Sequence, residues 1–136
     1  MSVTARFARR FRFLALLQAS LVAGALYDLV YAFFMVAAPE VPARMLRLPL
    51  PGEPFYLWVM ATLLAMLAGL YLLAAHDPRR YSGVIPVAVA GRLLGALAFA
   101  VAGWRDPRLL PGIALLAVCD FALGVSPALF WYPVRK

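Results

Sequence analysis

Long apolar runs alternate along the chain with short polar segments rich in proline and arginine. Residues 13–37 are apolar apart from Gln18, Ser20 and Asp28. The second run, 55–75, opens on Phe55, Tyr56 and Trp58, the aromatic belt of a membrane interface. The third, 82–103, carries Pro86 early and Arg92 in its middle; the fourth, 109–131, holds Asp120 in its middle and Pro127 near its end. About 20 apolar residues cross a bilayer core. The pattern therefore predicts an all-α protein with four membrane spans in one domain over 1–136. Connections this short make consecutive helices neighbours in an up-down-up-down bundle.

The connecting segments carry their own signals. Residues 1–12 place Arg6, Arg9, Arg10 and Arg12 around Phe7 and Phe11, a basic segment suited to a lipid surface. Ala23-Gly24-Ala25 has the form of a signal-peptide cleavage site, but the apolar run continues through Phe34, which argues for a retained span. In 38–54, five prolines forbid a long helix. Val41 to Leu48 is expected to make one or two turns, with Met45, Leu46 and Leu48 toward lipid and Arg44 and Arg47 toward phosphates. Asp77-Pro78 and Asp106-Pro107 read as helix N-caps followed by proline at the first helical position. Small residues recur every fourth position at Ala15/Ala19/Ala23, Ala61/Ala65/Gly69 and Gly91/Gly95. Such stripes let helices approach closely in lipid, although in an alanine-rich chain they also arise by chance.

Composition agrees with the spans. The 136 residues are 65% hydrophobic and 14% charged, against about 25% charged in a soluble domain. Net charge is +7, which here is a topology signal and not a mark of nucleic-acid binding. With both termini inside, eight basic residues lie on the inner face (Arg6, Arg9, Arg10, Arg12, Arg79, Arg80, Arg135, Lys136) and four on the outer (Arg44, Arg47, Arg105, Arg108). That bias predicts an N-in, C-in orientation. Heavy Arg and Ala use suggests a GC-rich, bacterial source, hence the cytoplasmic (inner) membrane. One cysteine, Cys119, and one histidine, His76, allow no intramolecular disulfide, no Cys/His zinc site and no bis-histidine haem within the chain.

Three ionisable residues lie deep in the spans: Asp28, Arg92 and Asp120. Each costs about 2.5–3.5 kcal/mol at a helix centre, so such groups turn inward and pair. Arg92 and Asp120 both fall near the midplane and form the leading ion-pair candidate. Asp28 then lacks a partner and takes up a proton; alternatively Arg92 bridges both carboxylates. Tyr31, three residues after Asp28, shares its face. The cluster reads as a clamp that fixes helix register, as a ligand or proton site, or as a contact to a charge on another subunit. His76, at the inner end of the second span, reads as an interface residue, as a ligand to a bound pigment, or as a proton relay. Tyr71, Met60 and Met66 read as packing.

The stretch LYDLVYAFF, the proline-rich loop with LPLPGEPFYLW, and LAAHDPRRYSGVIPVAVAGRLLGALAF together resemble the DoxX-like group of small four-helix bacterial membrane proteins. The similarity lies in the layout and at Asp28, Asp77-Pro78, Gly91-Arg92 and Asp120. It implies a four-helix bundle and permits a role beside redox partners, but carries over no catalytic residue. The leading expectation is a non-catalytic accessory subunit of a larger membrane complex, with other membrane subunits as partners. The alternatives are a binder or enzyme for a lipophilic molecule of quinone or isoprenoid type, and a small proton-coupled exporter. No cofactor is expected to be held by this chain alone; a quinone, lipid or pigment is the expected kind of bound group.

Overall fold

A computed structural model describes residues 3–135, with side chains for 10–134. The side chains of Arg6, Arg9 and Arg135, and all of Lys136, lie outside the described residues. The protein is helical: α1 (Val3–Ala37), α2 (Glu40–Leu46), α3 (Pro54–His76), α4 (Val84–Arg105) and α5 (Leu110–Arg135), with a 3₁₀ turn at Pro107–Leu109 before α5. Four of these are long and apolar enough to cross a membrane, and α2 lies between the first two of them. Their outward faces carry large apolar side chains such as Phe33, Met66, Leu94 and Val118, which suit contact with lipid.

Helix ends differ from the sequence boundaries for identifiable reasons. α1 begins at Val3 because arginine is a good helix former and does not stop a helix. α5 runs on through Pro127 and Pro133, as prolines do in membrane helices whose surroundings re-satisfy the backbone. Asp77 does not cap α4, which starts only at Val84. It closes α3, and its carboxylate accepts from the Arg79 and Arg80 amides in the turn. Asp106 does cap the element after it, accepting from the Arg108 amide at the 3₁₀ turn.

α1 packs along α3 and α5, and α4 packs along α5. α3 and α4, consecutive and expected to be packed neighbours, touch little, because α1 and α5 lie between them for most of their length. Gln18 donates to the Ala75 carbonyl at 2.9 Å, while Gly24 lies against Tyr71 and Tyr31 shares a cleft with Tyr56 and Met60. On the other side, Gly95 abuts Asp120, Gly124 abuts Arg92, and Gly103 abuts Leu110 and Ile113. The core runs through Leu17, Leu21, Ala25, Ala68, Tyr71, Ala74, Ile85 and Ala88.

The small-residue stripes hold only in part. Ala15, Ala19 and Ala23 are exposed, because the buried seam of α1 runs through Leu17, Leu21, Ala25, Asp28 and Ala32. Gly69 and Gly91 meet nothing, whereas Gly95 is pressed against Asp120. In the loop, Met45 is exposed as expected, but Leu46 is buried. Its carbonyl lies so close to Gly112 of α5 that a β-carbon there would overlap it. α2 therefore docks on the bundle through the side expected to meet lipid.

Candidate functional site

Arg92 is the point where all four long helices meet. It stands in the middle of α4, 5% exposed. Its Nη1 donates to Asp120 Oδ1 of α5 at 2.6 Å, and its Nη2 to Asp28 Oδ1 of α1 at 2.7 Å. Nη2 also donates to the Gly24 carbonyl at 3.1 Å, and Nε to the Tyr71 hydroxyl of α3 at 3.1 Å. The guanidinium lies 5.1 Å from the Tyr27 ring centre and 5.3 Å from that of Tyr71, within cation–π range.

Of the two arrangements the sequence left open, the structure has the fork: one arginine joins both carboxylates. Close packing makes it reachable. Gly24 and Gly124 leave room for the arginine, and Gly95 leaves room for the Asp120 carboxylate. Nε, Nη1 and Nη2 are all engaged as donors, so the guanidinium is committed to the protein. The carboxylates are not fully matched. Asp28 is completely buried, and its Oδ2 has no hydrogen-bond partner among the described residues. With both carboxylates ionised, the cluster would hold one negative charge in excess.

Tyr31 is not in the fork. Its ring packs on Tyr27, centres 4.9 Å apart, and Tyr27, with Tyr71, is a ring against the guanidinium. Tyr27 and Tyr71 are the site residues that sequence reasoning missed. Tyr71 lies close to the end of α3, where tyrosines ordinarily gather, so its position along the chain offered no signal of a site. His76 is exposed at the end of α3 and is not brought to the cluster. Among the described residues no three of His, Cys, Asp and Glu form a group suited to a metal ion.

Tyr31 instead faces an apolar cleft that α2 divides into two chambers. One, of about 220 Å³, is lined by Val30 and Phe34 of α1, Val41 and Met45 of α2, and Leu115 of α5. The other, of about 240 Å³, runs past Met35, Tyr56, Leu57, Met60 and Leu116 under the loop Leu48–Pro51. Tyr31, Pro42 and Leu46 line both. Among the described residues no charged one lines either chamber. Compared with known proteins, the chain matches no family model, no curated protein and no solved structure.

Proposed function

We propose that this is a multi-pass bacterial inner-membrane protein, of the DoxX-like layout, that binds a lipophilic molecule by an apolar chain in the cleft beneath α2. The observation that carries the reading is the pair of half-open chambers meeting at Tyr31, mostly apolar and flanking a short helix fixed to α5. Pockets of this kind, mostly apolar with few polar groups, are the usual form of a small-molecule site. Each chamber is narrower than a drug-sized pocket, about 300–1,000 Å³, which favours a flexible chain over a rigid ring system. The fork is the clamp that holds the walls: with its donors engaged by Asp28, Asp120, Tyr71 and Gly24, Arg92 has little left for a ligand.

The reading includes an up-down-up-down order with both termini inside. The contacts 18 to 75 and 24 to 71 run in opposite directions along α1 and α3, as do 95 to 120 and 103 to 113 along α4 and α5. The distribution of basic residues supports the orientation. Purification in mild detergent followed by solvent extraction and mass spectrometry tests the function. A chain-bearing molecule present at one per protein, and lost in Leu115→Trp and Met60→Trp, is the expected result. A bare protein, or filled chambers that still retain the molecule, would refute it.

An accessory-subunit role has one observation of its own. A groove of about 480 Å³ opens laterally between α4 and α5, lined by Leu93, Ala96, Leu97, Ala100, Ala117, Val118 and Phe121. Small residues suit a partner helix there. The same purification reads this out: stoichiometric partner subunits support it, and a lone 14.9 kDa chain counts against it.

A further inference from the structure

The cleft has a basic rim. Arg44, in the last turn of α2, and Arg47, at its C-cap, are both exposed. Their chain neighbours line the chambers: Met45 the first, Ala43 and Leu48 the second, Leu46 both. Neither guanidinium is ion-paired among the described residues, where both ion pairs belong to Arg92. Glu40, at the opposite end of α2, and Glu53, before α3, are the acidic residues of this segment.

Arg47 also sits where arginine is disfavoured. Its φ of 53° and ψ of 38° are left-handed, and it is the only non-glycine residue with positive φ among the described residues. Glycine is the usual occupant of that position after a helix, and a β-carbon is penalised there. Residues in the left-handed region gather at ligand clamps and switch segments, and here that residue carries an exposed guanidinium. α2 lies between the last residue of one long apolar helix, Ala37, and the first of the next, Pro54, in the connection where a chain that crosses a bilayer meets its surface.

We propose that the rim and cleft form one phospholipid site, in which Arg44 and Arg47 bind the phosphate diester of a membrane phospholipid and an acyl chain enters the chambers. The inference rests on the cleft reading above and names its ligand class. Arginine presents paired N–H donors that match phosphate oxygens. The uncharged chambers exclude the headgroup and admit the chain. Charge complementarity thus assigns the headgroup of one amphiphile to the two arginines and its chain to the chambers that flank α2.

The test is phospholipid retained per protein after mild-detergent purification, by native mass spectrometry and phosphorus assay, with add-back of dioleoylphosphatidylglycerol to delipidated protein. The parent is expected to retain and rebind phospholipid, and Arg44→Gln/Arg47→Gly to do so at least tenfold less while unfolding at no lower temperature. Leu115→Trp is expected to lose it as well. If the double variant retains lipid like the parent while Leu115→Trp does not, the headgroup assignment fails and the cleft reading stands. An extracted molecule that contains no phosphate overturns the headgroup assignment in the same way. Retention by Leu115→Trp overturns both.

Discussion

Replacing Arg92 with methionine keeps an unbranched chain of comparable reach and deletes the guanidinium. The change removes four hydrogen bonds and leaves Asp28 and Asp120 buried without their partner. Two routes give the cost. Breaking a buried ion pair from one side is worth about 3–5 kcal/mol. Four interhelical bonds in lipid, at about 0.6 kcal/mol each, give about 2.4 kcal/mol. They converge near 3 kcal/mol, or about 10–15 °C in Tm for a chain of this size. The assay is thermal unfolding in one defined detergent. Asp28→Asn should behave differently: it removes the excess negative charge of a cluster with two carboxylates on one arginine, and should stay within about 1 kcal/mol of the parent. Asp28→Leu/Arg92→Met/Asp120→Leu should recover most of the loss, because apolar groups often replace a buried ionic triad without penalty. An Arg92→Met protein melting within about 3 °C of the parent, or a triple variant no better than Arg92→Met, would falsify the clamp.

The glycines and the loop give further expectations. Gly91→Ala should stabilise α4 by about 0.5–1 kcal/mol, since nothing lies within 4 Å of the new β-carbon and alanine is the better helix former. Gly95→Ala should lower Tm instead, its β-carbon falling 2.9 Å from Asp120 Oδ2; equal melting of the two variants would contradict this. Gly112→Ala should lift α2 from α5 by collision with the Leu46 carbonyl, and faster proteolysis or amide exchange across 40–50 than in the parent is the readout. Arg47→Gly alone should raise Tm by relieving a left-handed β-carbon, a gain of about 1 kcal/mol; a fall in Tm would mean that Arg47 holds the loop by its side chain.

The spans were legible because a bilayer demands about 20 apolar residues, and few other patterns in a short chain meet that demand. The charged trio was legible for the same reason: Asp28, Arg92 and Asp120 interrupt runs that should carry no charge. Depth along a helix, however, is readable from sequence while rotation about its axis is not. Whether Arg92 reached one carboxylate or two depended on how α1 turns toward α4. Rotation also decided that Tyr27, and not Tyr31, covers the guanidinium, and that Tyr71 reaches Nε. The inward side of α2 was hidden for another reason. Its seven residues, EVPARML, hold too few turns for an apolar face to be assigned, and the surface that receives Leu46 is a glycine on α5.

The clamp and the cleft share a wall, and this has a measurable consequence. Gly24, Asp28 and Tyr31 follow one another at helical spacing on α1. The first two are bound by Arg92, and the third lines both chambers. Between them Tyr27 packs on Tyr31 and over the guanidinium. The fork therefore fixes the rotation of α1, and that rotation presents Tyr31 to the cleft. Arg92 lines neither chamber, yet Arg92→Met should reduce lipid retention even below its own melting temperature, where the helices remain formed. Asp28→Asn, which keeps an oxygen acceptor toward Nη2, should preserve it. Full retention by folded Arg92→Met protein would show that the chambers hold their shape without the clamp. Loss in Asp28→Asn with an unchanged Tm would mean that the charge of the carboxylate, and not its oxygen acceptor alone, sets the rotation of α1.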